Sequence, residues 1–281
     1  MGGSTILTID GVSKSYKNRC VLHPVYLHIA RGECVVLCGA NGAGKSTLIK
    51  LITGIEQPTA GTITFATEKK KRFAYMPDHM NFPKELTPLE IISYYGKFLN
   101  TSMVTIEATL KKVGLWEERH QKVGSFSKGM CQRLNLAQCL LSDVDLYIFD
   151  EPTNGLDPYW VIQFKQLIRE LRNNGKTILL SSHIMRDVVE IADRIAIMFQ
   201  GEVKAFGTLP DIYRTYRCRT LEDVFLSLHV NPKNEGADPK VRQKADFWSQ
   251  PSLVFVYFTK RNKIPTLFSP SFTPPRTIAC P

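Results

Sequence analysis

The 281 residues carry 43% apolar and 22% charged side chains, the balance of an ordinary globular protein long enough to bury a substantial core. The formal charge is +10, and half of it lies from Val230 onward, where eight Lys/Arg stand against three acids; so thin an excess, without interleaved aromatics, reads as solvated surface, and no nucleic-acid partner is expected. No apolar run approaches the roughly 20 residues needed to cross a bilayer, the start of the chain lacks the basic and apolar regions of a signal peptide, and the seven cysteines contain no C-x-x-C pair; these features place the chain in the cytosol with structural thiols.

In chain order, Ile6 to Asp10 alternates like a strand, a polar segment Ser13 to Lys17 with one aromatic, Tyr16, follows, and Val21 to Ile29 supplies further short β-like material. The apolar run Cys34 to Cys38 predicts a core strand with both cysteines on one face. It leads into Gly39-Ala40-Asn41-Gly42-Ala43-Gly44-Lys45-Ser46, and Thr47 to Ile52 then has helical character. This is a complete G-x-x-x-x-G-K-[ST] phosphate loop in the strand-before, helix-after setting it requires. Its glycines let backbone N–H groups turn inward around phosphate oxygens, and the following helix points its positive end at them. The predicted nucleotide site therefore comprises Gly39, Asn41, Gly42, Gly44, Lys45, Ser46 and Thr47. Lys45 is expected to reach the β and γ phosphates and the Ser46 hydroxyl to ligate Mg²⁺.

Gly61 to Phe65 predicts another strand; Lys69 to Arg72 is a charged loop before the strand Phe73 to Tyr75. From Pro88 to about Gly124 the period becomes helical: Leu89, Ile92, Tyr95, Gly96 and Leu99 form one stripe, and Ile106, Leu110, Val113 and Leu115 another. A short helix is predicted over Leu134–Leu141, a buried parallel strand over Asp145–Phe149 and a helix over Trp160–Asn173 stopped by Gly175. The strand Lys176–Leu180, the helix Met185–Ala192, a hairpin turning at Gln200-Gly201 and the short helices Asp211–Arg217 and Leu221–Leu228 complete the pattern. The reading is an α/β core edged by antiparallel strands. Beyond His229 the pattern decays into a basic, Pro-rich appendage, expected to be partly disordered, with one strand-like run, Leu253 to Phe258.

A second constellation sharpens the first. Leu146-Tyr147-Ile148-Phe149 ends in Asp150-Glu151, which brings Asp150 to the carboxyl edge of the sheet, where open α/β folds bind ligands. Asp150 is expected to hold Mg²⁺ beside Ser46, and Glu151, one residue on, to accept a proton from an attacking water.

Together with Asp150-Glu151-Pro152-Thr153, Gly155-Leu156-Asp157 and Ser181-Ser182-His183, the phosphate loop resembles the ordered motifs of the ABC-transporter ATPases, and Phe126 to Arg133 resembles the signature that defines that family. The resemblance covers about residues 5 to 228 and implies a cassette with a mainly parallel sheet core, an antiparallel β edge and a helical subdomain over about 88–140, the cassette spanning 1–229 and the appendage 230–281. It implies ATP and Mg²⁺, Tyr16 stacking on adenine, His183 at the γ-phosphate beside Glu151, and two cassettes head to tail, so that Ser127, Lys128 and Gly129 of one meet the nucleotide of the other. The first cassette's partner would be a second copy or a paired cassette, and both would serve integral membrane permease subunits from the cytoplasmic face of the membrane.

Two features depart from the family pattern. Asp78 stands where the family has a Gln that senses Mg²⁺ and the membrane partner, and as a carboxylate it can still ligate the ion directly or through water. The signature reads F-S-K-G-M, with Lys128 and Met130 in place of Gly and Gln. Both features resemble the exporter-type ABC-2 branch and, within it, the ATPases of copper-processing systems serving nitrous-oxide reductase maturation. The competing class, a non-transport ATPase acting on nucleic acid or ribosomes, commonly has two cassettes or a long insertion, whereas only 80 residues separate Ser46 from Ser127. A binding-only regulator is disfavoured by Asp150, Glu151 and His183. Docking of the membrane partner is expected at Asp78 to Phe82 and the helical insert, with Phe82, Tyr94 and Tyr95 as candidates.

Overall fold

A computed structural model describes residues 4–67, 69 and 71–230, the side chains of His229 and Val230 excepted. The run Leu253 to Phe258 and the proposed appendage lie outside the described residues.

Two sheets share the core. β1 (Thr5–Tyr16), β2 (Arg19–Ala30) and β4 (Ala60–Phe65) form an antiparallel sheet in the order β2-β1-β4. The second sheet runs β5-β6-β7-β3-β8-β9, built from β5 (Ala74–Met76), β6 (Leu146–Phe149), β7 (Thr177–Ser182), β3 (Cys34–Cys38), β8 (Arg194–Phe199) and β9 (Glu202–Gly207). It is parallel from β5 to β8, and β9 closes it antiparallel. The unbroken apolar strings of β3 and β6 are buried throughout, as strands covered on both faces must be. Alternation divides β3 between the faces: Cys34, Val36 and Cys38 pack towards the helical side, Val35 and Leu37 towards the antiparallel sheet and α1 (Lys45–Thr53). The expected common face of the two cysteines is thus present, and burial pushes the Cys38 thiol up to about 12.

The helical subdomain packs α2 (Pro88–Leu99), α3 (Met103–Lys112) and α4 (Lys128–Leu140). Local chemistry fixes where each begins. Thr87 and Glu90 close a reciprocal capping box before Pro88, Ser102 accepts from the Thr105 N–H, and Ser127 accepts from the Met130 N–H. α5 (Pro158–Asn173) starts the same way, with Asp157 accepting from the Trp160 N–H. Next come α6 (Met185–Ile191), α7 (Leu209–Tyr216) and α8 (Leu221–Val230).

Three expectations are corrected. β1 does not end at Asp10: Lys14, Ser15 and Tyr16 pair with Leu22, Cys20 and Arg19, because the backbone ladder continues where the side chains turn polar. Tyr16 is therefore the last residue of a strand at a hairpin tip. α4 begins at Lys128, before its apolar stripe, because the Ser127 cap supplies the start that the stripe does not mark. Asp145 precedes β6; its side chain pairs with Lys69 and Arg31 outside the sheet.

Candidate functional site

Parallel strand order decides what meets at the carboxyl edge. β3 lies beside β7, and β7 beside β6, so the residues following these strands are brought together across nearly 150 positions of sequence. Gly39 leaves β3 with its N–H donating to the Ser182 carbonyl, 3.3 Å away. A Cβ at Gly39 would stand 2.5 Å from the Met198 carbonyl oxygen, so the start of the loop has no room for a side chain. Ala40, Asn41, Gly42 and Ser46 are exposed, Gly44 and Thr47 half-buried, while Ala43 and Lys45 are buried. Gly44, in the left-handed region at φ 103°, is the N-cap of α1, and no side chain caps the first-turn N–H groups there. That leaves donors and the positive helix end available to an anion.

The Lys45 ammonium is 4% exposed and fully engaged: it donates to the Gly39 and Ala40 carbonyls at 2.7 and 3.2 Å and pairs with Glu151 Oε1 at 3.0 Å. The other carboxylate oxygen, Glu151 Oε2, lies 2.7 Å from His183 Nδ1. Against a carboxylate oxygen this ring nitrogen is the donor. Glu151 holds this position on a left-handed backbone, φ 47°, a conformation costing a non-glycine residue about 1–3 kcal/mol. Its N–H donates to Ser181 Oγ at 2.8 Å, and Gln132 Nε2 from α4 donates to the Glu151 and Pro152 carbonyls at 3.3 Å each.

Asp150, 3% exposed, accepts on Oδ1 from Ser181 Oγ at 2.6 Å and from Ser46 Oγ at 3.2 Å. Burial raises its pKa; the two hydroxyl donors oppose that, and the Asp78 and Glu151 charges reinforce it. A buried carboxylate beside two others calls for a cation. Among the described residues no group of three His, Cys, Asp or Glu could cage a metal unaided. Ser46 and Asp150 thus fit an ion that takes its remaining oxygens from a nucleotide and water, the habit of Mg²⁺. Asp78, following β5, accepts from Asn154 Nδ2 at 3.1 Å and lies 3.2 Å from His79 Nε2.

The remaining predicted residues sit apart from this cluster. Ser127 and Lys128 are exposed at the start of α4, Gly129 half-buried beside them, and the Ser127 hydroxyl caps its own helix. The Tyr16 hydroxyl donates to Glu56, which raises the tyrosine pKa, and the Lys14 ammonium lies 5.0 Å from the ring centroid. Sequence reasoning assigned nothing to Gln132 or Asn154 and used Ser181 only as a flank of His183. Gln132 lies within the signature stretch and Asn154 between Thr153 and Gly155, but an amide has no fixed partner spacing that marks what it reaches across the fold.

A phosphate loop at the carboxyl edge of a parallel sheet, with a carboxylate and hydroxyl able to take a cation, defines a nucleoside-triphosphate-binding α/β protein. The family described as ABC transporter matches residues 22–154. The chain is 34% identical over 238 residues to the uncharacterized ABC transporter ATP-binding protein YxlF of Bacillus subtilis, covering 82% of this chain and 79% of YxlF. It is 35% identical over 203 residues to the lantibiotic transport ATP-binding protein SrtF of Streptococcus pyogenes, covering 70% and 89%. A solved ATP-binding subunit of an ABC transporter superposes with a TM-score of 0.73 at 33% identity, covering 80% of this chain and 99% of that one. The chain belongs to the ABC transporter ATP-binding family, the ATP-hydrolysing cassettes of such transporters. No helix among the described residues is long and apolar enough to cross a membrane.

Proposed function

We propose that this cassette pairs with a second one, a copy of itself or a paired chain, and that ATP held between them drives exporter-type permease subunits from the cytoplasmic face of the membrane. The cassette proper is residues 1–229, with 230–281 appended. The observation that supports the reading best is the line Lys45–Glu151–His183, in which one carboxylate is shared by the phosphate-binding lysine and a histidine.

In this reading the loop between Gly39 and Thr47 holds the phosphates with those of its N–H groups that the loop does not use itself, with Asn41 and Gly42 on the exposed side and Tyr16 against the base. The γ-phosphate takes over Lys45 and releases Glu151 Oε1. The freed carboxylate accepts a proton from the attacking water, while His183 keeps Oε2 fixed. Ser46 and Asp150, with Asp78 through water, hold Mg²⁺, which when bound neutralises charge gathering on the phosphate oxygens. Ser127, Lys128 and Gly129 address the partner's nucleotide. An open cavity of about 510 Å³ beside the loop, lined by Asn41, His183, Met185, Phe225 and Leu226 among others, gives the partner's helix start room to approach.

The named role of SrtF in lantibiotic transport supports the exporter branch. The copper-processing resemblance rests on Asp78, Lys128 and Met130 alone. For the permease, Tyr94 and Phe98 of α2 offer an exposed aromatic pair with ring centroids 4.9 Å apart, whereas Phe82 and Tyr95 pack against the core.

A complementation assay tests the composite site. Lys45→Ala and Ser127→Ala chains are each expected to lose hydrolysis, and an equimolar mixture to regain part of it, because a mixed dimer holds one site with both an intact loop and an intact signature. A mixture as inactive as its components would refute shared sites.

A further inference from the structure

The two charged departures of the sequence, Asp78 and Lys128, are 50 positions apart on different elements, yet one side chain joins them. Lys128 Nζ donates to Asn154 Oδ1 at 3.2 Å, and Asn154 Nδ2 donates to Asp78 Oδ1 at 3.1 Å. The chemistry fixes the orientation of the amide: an ammonium can only donate and a carboxylate can only accept, so Oδ1 must face the lysine and Nδ2 the aspartate. Asparagine is the one side chain of this reach that carries both functions.

Each end of the bridge is held. Asn154 sits in the turn after Glu151, its N–H donating to the Glu151 carbonyl at 3.1 Å. The Lys128 stem lies across Gly155, where φ is 83° and a Cβ would come within 2.8 Å of the lysine Cδ and Cε, so residue 155 must be glycine for Lys128 to lie there. On the far side the Asp78 charge is near enough to the Asp150 carboxylate to add to the rise in its proton affinity that burial causes.

We infer that Asn154 is a positioning residue that couples Lys128, at the start of α4, to Asp78, on the cation side of the same cassette's nucleotide site. The inference deepens the proposed site and rests on Asp78 and Asp150 facing the nucleotide's Mg²⁺. While Asn154 holds it, Lys128 offsets the Asp78 charge in its own chain, and to address the partner's nucleotide it must let Asn154 go. Loss of the lysine leaves Asp78 as a freer anion beside the ion, and loss of Asp78 releases the lysine. The two effects are therefore not independent.

The test is a double-mutant cycle on the full-length chain, read as equilibrium affinity for a non-hydrolysable ATP analogue by titration calorimetry over a range of Mg²⁺ concentrations. Lys128→Met keeps the stem over Gly155 and removes the charge, and Asp78→Ala removes the acceptor. Residues in one hydrogen-bonded network couple measurably, and for a partly exposed one the low end applies, so the double variant should depart from the product of the single effects by about threefold. In an Asn154→Asp background the departure should vanish. That substitution is the discriminating one: aspartate suits the turn as well as asparagine does, but it cannot donate to Asp78. If N154D binds the analogue with wild-type Mg²⁺ dependence, the turn alone matters and the inference is overturned. Asn154→Ala, which can neither donate nor accept, serves the same purpose should N154D not fold. Additive single effects would overturn the bridge while leaving Asp78 at the site; no effect of D78A on Mg²⁺ dependence would overturn both.

Discussion

Glu151→Gln separates two things that Glu151 does in this structure. In the resting cassette it compensates Lys45, both side chains being almost wholly buried at 3.0 Å. Two unit charges at that separation attract by about 5 kcal/mol at an effective dielectric of about 20 before desolvation is counted. The net effect is smaller, because glutamine retains an amide oxygen for Lys45 and the ammonium keeps the Gly39 and Ala40 carbonyls. About 1–2 kcal/mol of lost pairing is a reasonable share of the roughly 3–5 kcal/mol seen when buried pairs are broken outright. The sign then differs between states: the nucleotide-free protein should melt about 2–8 °C lower. ATP, no longer competing with a carboxylate for the lysine, should bind about 5–30-fold more tightly. Turnover should fall by about 10²–10⁴ because the proton acceptor is gone. Calorimetric titration, thermal melts with and without ATP, and phosphate release read the three quantities separately. Unchanged ATP affinity would refute competition for Lys45, and unchanged turnover would refute Glu151 as the base.

Gly39→Ala should lower stability by about 1–3 kcal/mol through its clash with the Met198 carbonyl, displacing the loop and weakening ATP binding; a wild-type melt would refute the clash. The pKa of His28 is lowered, first by burial and then by Arg194, with Glu33 opposing. A depressed histidine contributes stability that is present above its unfolded value of about 6.5 and is lost as pH falls through the lower folded value. Urea midpoints should therefore drop on acidification, and His28→Gln should flatten that slope. Cys34, Cys38 and Cys139 are buried, so peptide mass spectrometry after iodoacetamide treatment of the native protein should find them unlabelled and the part-buried Cys20, Cys131 and Cys218 labelled. Replacing Tyr94 and Phe98 together with Ala should cut co-purification with integral membrane subunits while ATP affinity holds, since both side chains are exposed and away from the loop.

Most of the fold was legible because its signals are local. The strands β3 and β6 are apolar runs with no polar face to offer water, and the start of α2 is marked by Thr87-Pro88, whereas α4 and α5 begin at the caps Ser127 and Asp157, ahead of the stripes that predict them. The loop Gly39 to Ser46 and the strand-end pair Asp150-Glu151 announced themselves because phosphate and metal chemistry dictates residue types at fixed spacing. What escaped has no such spacing. Ser13 to Tyr16 enter β1 through backbone pairing, which leaves no trace in side-chain polarity. Tyr16 finds Glu56, Asn154 joins two loops, and Gln132 reaches Glu151 only because helix α4 crosses the carboxyl edge of the sheet.

That crossing links recognition to chemistry. α4 sends one amide per turn to the backbone of the catalytic edge: Gln132 to the Glu151 and Pro152 carbonyls, Asn135 to the Pro77 carbonyl at 2.7 Å and Gln138 to the Tyr75 carbonyl at 3.0 Å. Gln132 and Asn135 are buried, so leaving their carbonyl partners unmatched would cost about 1–3 kcal/mol each. The helix and the edge must therefore move together. Ser127, Lys128 and Gly129 lie at the free end of this same helix, and Arg133 ties its middle to the Val113 and Gly114 carbonyls of the helical subdomain. In the proposed complex, a force applied at the start of α4 by a second cassette would reach the Glu151 carbonyl through Gln132, and one applied through α2 and α3 by a permease would pass by way of Arg133 first. Glu151 is the residue least able to ignore it, because its left-handed backbone is held by Gln132 on one side and Ser181 on the other.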